Sequence, residues 1–309
     1  MKLFRLATLV FAVLCVAFAG QASAAEDGMQ AFREAYLPSA KNSQVYHVDF
    51  MFNSPNVQSN VTASTQSKSG GQFVLDGKLN WAYTDRSTNQ TVQTDTPIYV
   101  EREGDAFTVY GNRNGTWMQE TLFNGTAWIL DAFSTDNNAL KEQYAASVKS
   151  VKLLDRQGSQ QRMQIIFDGK KLSQVEDSFA KSQAAGANGK PDQEFERYLK
   201  AALAENDLEC TWAVNTETGT TITVAANLTN IMRSYAKAVL QDSYESKIQL
   251  TPEETEILSS IGYYCNLQFY LSPSKNVRSL SIPPEVKSTA KSHDFLEELG
   301  NEVAAAAGK

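Results

Sequence analysis

Large apolar residues recur at every second position through much of this chain, and that two-residue period commits it to strands with one buried face. The clearest run is Phe73 to Tyr83, where Phe73, Leu75, Leu79, Trp81 and Tyr83 share one face while Asp76, Lys78, Asn80 and Thr84 take the other. Tyr46 to Phe52 repeats the pattern, its even positions all large and apolar. Between them Val57 to Lys68 predicts a thinly packed strand, marked only by Val57, Val61 and Ala63, with Gly70-Gly71 as the turn that follows. Further strands are expected over Thr94 to Arg102, with Ile98 and Val100 in phase, over Ala106 to Tyr110 and over Gly115 to Leu122. The last two are joined by Asn112-Arg113-Asn114-Gly115, a hairpin signal because Asn-Gly tolerates positive φ. Five or six consecutive antiparallel strands thus precede any long helix.

Helical spacing enters around this core. A short helix is expected from Glu26 to Tyr36, stopped by Pro38, and others over Trp128 to Phe133 and Asn137 to Ser147. Strands Val151 to Arg156 and Arg162 to Asp168 turn at Gly158, and polar helices Leu172 to Ala185 and Glu194 to Ala204 flank the linker-like run Gly186 to Pro191. Alternation returns over Leu208 to Val214 and Ile222 to Leu228. A helix over Asn230 to Gln241 follows, and Thr251-Pro252-Glu253-Glu254 opens another with a cap and a proline in its first turn. Tyr263, Cys265, Leu267, Phe269 and Leu271 alternate next; a final strand is expected from Val277 to Ile282, then Pro283-Pro284 and a short helix. No break in composition separates the front strands from the back ones. The expectation is therefore an α+β chain, a single domain over residues 25–291 built on one long curved antiparallel sheet, with a flexible tail at 292–309.

Met1 to Ala24 reads as a secretory signal: Lys2 and Arg5 form the basic start, Leu6 to Ala19 the apolar stretch, and Ala22-Ser23-Ala24 the cleavage site. Cys15 follows Val13-Leu14, whereas lipoprotein processing needs a small residue just before the cysteine, so no lipid anchor is expected. Cleavage removes Lys2 and Arg5 and no acidic residue, which takes the net charge from −7 to −9. The mature chain is expected in the periplasm or outside the cell, with Cys210 and Cys265 as its two remaining cysteines. In an oxidising compartment they form either one disulfide or two buried thiols. If strands follow in sheet order, Ile222 to Leu228 lies between them, and a bridge needs Cα atoms within about 7 Å.

Charge and residue counts narrow the function classes. Lys and Arg number 28 against 35 Asp and Glu, which argues against nucleic-acid binding, and no segment after the signal nears the ~18 apolar residues of a membrane span. His47 and His293 are the only histidines, so neither a histidine triad nor a multi-histidine metal site has its parts. Gly71 to Lys78 fails the phosphate-loop pattern in spacing and in Leu79 where Ser or Thr is needed. Ser178 to Lys181 and Ser288 to Lys291 match a Ser-x-x-Lys spacing without companion motifs. No enzyme, metal or cofactor is implied.

The segments Pro97-Ile-Tyr-Val-Glu-Arg-Glu-Gly-Asp-Ala-Phe-Thr-Val-Tyr110, Gly115-Thr-Trp117 and Ile282-Pro-Pro-Glu-Val-Lys287 carry a resemblance. Together with the order of elements they look like the LolA-like and LppX-like superfamily of bacterial secreted proteins. That resemblance implies a half-open, strongly curved sheet, helices over its concave face and, in relatives, an apolar cavity that holds acyl chains. Lipid transport is thereby an expectation of the resemblance, and no acyl-contact residue is carried over from it.

From the residues themselves, the apolar wall candidates are Phe73, Leu75, Leu79, Trp81 and Tyr83, with Trp128 on a covering helix. The function expected is non-enzymatic binding or carriage of a lipid, an acyl chain or another hydrophobic ligand. The alternative is an envelope protein-interaction or sensor module of the same fold with a filled core.

Overall fold

A computed structural model describes residues 28–36, 45–67, 73–86, 88–103, 106–123, 138–175, 193–217, 221–274 and 278–292. Among the described residues twelve strands form one open curved sheet in the order β12-β6-β5-β4-β3-β2-β1-β11-β10-β9-β8-β7, numbered along the chain, with β12 the short closing strand Lys291–Ser292. Six lie in the front half: β1 (Val45–Asn53), β2 (Val57–Ser67), β3 (Phe73–Asp85), β4 (Gln90–Glu103), β5 (Ala106–Arg113) and β6 (Thr116–Phe123). Five follow: β7 (Val148–Gln157), β8 (Gln160–Phe167), β9 (Leu208–Asn215), β10 (Thr221–Asn227) and β11 (Asn266–Pro273). Each half is a run of sequential antiparallel neighbours, and β11 joins them by pairing with β1. The Asn-Gly turn forms as expected, with Asn114 at φ 49° and Gly115 at φ 81°.

Register turns the alternation seen in separate segments into one surface. Across nine strands, Leu153, Met163, Trp212, Val224, Phe269, Phe50, Val61, Leu79 and Thr96 stand in successive partnership. The neighbouring row is Val151, Ile165, Cys210, Ala226, Leu267, Phe52, Ser59, Trp81 and Thr94. Directly opposed side chains lie about 5 Å apart, so each row is continuous apolar contact until it reaches the hydroxyls near its end. Gly77 sits in a third row opposite Ala63, where a Cβ would meet the Ala63 Cβ at 2.5 Å. Only glycine lets β2 and β3 approach so closely.

Helices α1 (Gly28–Tyr36), α2 (Asn138–Ala146), α3 (Gln193–Glu205), α4 (Thr229–Tyr244) and α5 (Pro252–Ile261) feed their apolar faces into the core built on that inner surface. Phe32 of α1 is fully buried, edge-on to Phe167 at 6.4 Å and to Trp212 at 5.8 Å between ring centres. α4 inserts Ile231, Met232, Tyr235 and Val239. Residues 169–175 are also helical, and there Gly169 packs against the end of α3.

The opposite face carries a smaller cluster. Helix α6 (Pro284–Thr289) and the irregular chain before it lie on β3 to β6, where Ile282 and Val286 pack with Val74, Tyr110, Tyr99 and Trp117. Lys287 pairs with the buried Glu101, which also accepts from Tyr110 Oη at 2.8 Å. The three segments that carried the family resemblance therefore meet in one place. Of the strand expected over Val277 to Ile282, Val277 lies outside the described residues and residues 278–282 are irregular, because Ile282 is used to cover the sheet. Pairing resumes at β12 (Lys291–Ser292), parallel to β6. Tyr263 is likewise outside β11, 72% exposed in the turn after α5. The signal segment, Trp128 to Phe133, the linker Gly186 to Pro191 and residues 293–309 lie outside the described residues.

Candidate functional site

The expected wall residues share the inner face of β3, at two-residue spacing within a strand paired on both sides. Phe73, Leu79, Trp81 and Tyr83 are 2–5% exposed, while Leu75 is half-buried and packs against the same core. Trp128 lies outside the described residues. Pairing adds wall residues that were read only as strand markers or passed over: Phe50 and Phe52 on β1, Ile98 and Val100 on β4, and Val109 on β5. Val109 was hidden in a short run, and only its register opposite Val100 places it on the wall.

One end of this wall is tied to α5 by hydrogen bonds. Glu256 accepts from Tyr83 Oη at 3.0 Å, from Asn56 Nδ2 at 2.7 Å and from the Arg86 backbone N–H at 3.1 Å. The Ser260 hydroxyl, one turn on, donates to the side-chain Oδ1 of Asn56. Tyr83 thus buries its ring in the core and keeps its hydroxyl at the polar seam. α5 starts where the sequence expects: the Thr251 hydroxyl accepts from Glu254 N at 3.1 Å, and the Glu254 carboxylate accepts from Thr251 N at 2.9 Å.

The wall is not uniformly apolar. Ser59, Thr94 and Thr96 face inward beside Trp81 and Leu79, Ser59 and Thr96 being 5% and 4% exposed. Thr94 Oγ1 is sealed from solvent and has no hydrogen-bond partner among the described residues.

On the outer side of the helical layer, α4 and α5 leave an open groove of about 530 Å³, floored by Ala236, Leu240 and Leu258. Arg233 crosses one end, donating to the Gly262 carbonyl from Nε at 3.1 Å and Nη2 at 2.8 Å.

Cys210 and Cys265 are both buried and free. The disulfide alternative gives way for the geometric reason already stated: β10 lies between the strand of Cys210 and the start of β11, and two strand spacings come to about 9.5 Å. Burial pushes both thiols far above the ordinary thiol range, so neither is a nucleophile at neutral pH. His47 is exposed on β1, between Ser64 and Ser272. Among the described residues, no group of three His, Cys, Asp or Glu side chains could hold a metal ion, and no helix is long and apolar enough to cross a membrane.

No protein-family model matches the chain, and no curated protein matches it. Among solved structures it resembles the crystal structure of LprF from Mycobacterium bovis, with 11% identity and a TM-score of 0.35, over 88% of this chain and 95% of that one. Identity at that level says nothing of ligand or activity.

Proposed function

We propose that the protein is a non-enzymatic binding or carrier protein, exported to the periplasm or beyond, that takes a lipid, a lipoprotein acyl chain or a similar hydrophobic ligand along the inner face of its sheet. The observation that carries this reading is the mainly apolar inner surface that runs across the sheet from β7 to β4, broken by the hydroxyls of Ser59, Thr94 and Thr96, beneath helices that are separate elements of the chain. A chain laid on such a surface gains about 0.8 kcal/mol for each methylene withdrawn from water. The family resemblance of the sequence points the same way.

The second reading, an envelope protein-interaction or sensor module with a filled core, is favoured by the near-complete burial of Phe73, Leu79, Trp81 and Tyr83. One experiment separates them. Protein purified gently from its own host is extracted for mass spectrometry of bound lipid and titrated with an apolar fluorescent dye. Co-purifying acyl lipid together with dye binding supports the carrier. Absence of both sinks it, and crosslinking in intact cells to one defined envelope protein then supports the module.

A further inference from the structure

The wall carries hydroxyls where aliphatic side chains would pack as well. Ser59, Trp81 and Thr94 are direct partners on β2, β3 and β4, and Thr96 follows Thr94 on the same face, opposite Leu79. Elsewhere on these strands the wall uses Val57, Val61, Ile98 and Val100. Valine has the shape of threonine and differs by a hydroxyl that is costly to bury without a partner. Native proteins leave few such atoms unpaired, and each calls for an explanation. Thr94 Oγ1 is such an atom, and no side-chain hydrogen bond joins Ser59, Thr94 or Thr96 to another described residue.

We propose that Thr94 and Thr96, with Ser59 across Trp81, form a subsite for the polar end of an amphiphile, a carbonyl oxygen attached to the apolar chain. The proposal rests on the carrier reading and names the ligand's chemistry. Each hydroxyl donates one hydrogen bond, and a carbonyl oxygen has two lone pairs to receive them. Thr94 and Thr96 are spaced about 6.8 Å along one face of a strand at the backbone, so one oxygen between them accepts from both at ordinary O–H···O lengths of about 2.8 Å when the two hydroxyls lean toward each other. The chain would continue over Leu79 and Trp81. An ester, an amide or a carboxyl group supplies the same oxygen.

The test uses the full mature chain, displacement of N-phenyl-1-naphthylamine, and three competitors: methyl palmitate, palmitate and hexadecane. The wild-type protein should bind methyl palmitate or palmitate about tenfold more tightly than hexadecane, the worth of one to two buried hydrogen bonds. Whichever of the two is tighter identifies the source of the carbonyl. In Thr94→Val/Thr96→Val that preference should vanish while hexadecane binds as before, and the ligand-free variant should unfold at higher denaturant than wild type. Ser59→Ala should reduce the preference in part. A variant that keeps the wild-type preference, or that is less stable than wild type, overturns the subsite. Equal wild-type binding of all three competitors overturns it too and leaves the carrier standing. Binding of none of them removes the carrier reading itself.

Discussion

Single residues show how little freedom the interior allows. A Cβ on Gly169 would lie 1.8 Å from the Asn206 carbonyl oxygen and 2.1 Å from that of Leu203. Both obstacles are backbone at the end of α3, so no side-chain rotation relieves them. Gly169→Ala is expected to destabilise by about 3 kcal/mol, read as a lowered urea midpoint. Asp242 shows a different dependence. It accepts from Tyr198 Oη at 2.6 Å, Arg197 Nη2 at 2.9 Å and Lys247 Nζ at 3.1 Å, which ties α4 to α3. The Tyr198 hydrogen bond, then Lys247, holds its carboxyl below the usual carboxylate range. A folded-state pKa below the unfolded one stabilises the protein above the ordinary carboxylate pKa of about 4, and that contribution is lost as pH falls through the lower folded value. The stability gap between wild type and Asp242→Asn should therefore stay constant near neutrality and close under acid, as chemical denaturation across pH would record. An unchanged gap below pH 3 would contradict the assignment.

At the scale of elements, local signals and tertiary ties divide the work. α5 was legible because its start is a local chemical arrangement: cap, proline and reciprocal carboxylate within four residues. Thr251→Ala should cost about 1 kcal/mol and raise hydrogen exchange in the first turn of α5 before it affects the sheet. The long strands were legible for the same reason, since the period of two is written in consecutive side chains. The segment Val277 to Ile282 was misread because its alternation resembles a strand, yet a strand also needs a free edge in register. Its Leu280 N–H instead donates to the Gln66 side chain at 2.8 Å, and Ile282 turns into the outer cluster. Tyr263 failed similarly: it keeps phase with Cys265, but the chain is still turning out of α5 there.

For the whole molecule, the two faces of the sheet have separate tasks. The inner face gathers helices and the candidate wall; the outer face of β3 to β6 is covered by the segment around α6, with Tyr99 and Trp117 rings 5.4 Å apart beneath it. Ile282→Ala should cost about 3 kcal/mol locally, and amide exchange at Val286 and Ala290 should accelerate. Dye binding on the inner face should remain unchanged, because the sheet lies between the two clusters. Loss of dye binding in that variant would show that the faces are coupled.

Alternation, caps and turn residues act between near neighbours in the chain, so the sequence alone determined that the protein is built of long one-faced strands with helices between them. It equally determined the acidic balance and the scarcity of histidine. The tertiary structure decided which strands become neighbours. Pairing of β11 with β1 joins residues more than 200 positions apart, and no local spacing encodes that choice. That pairing joins the two halves of scattered alternation into a single wall; within it the β2-β3 and β3-β4 pairings set Ser59, Trp81 and Thr94 side by side, and β10 between β9 and β11 keeps Cys210 from Cys265. Register is settled by the burial of whole faces at once. The hydroxyls on the wall therefore take on meaning only once the strands are paired in register.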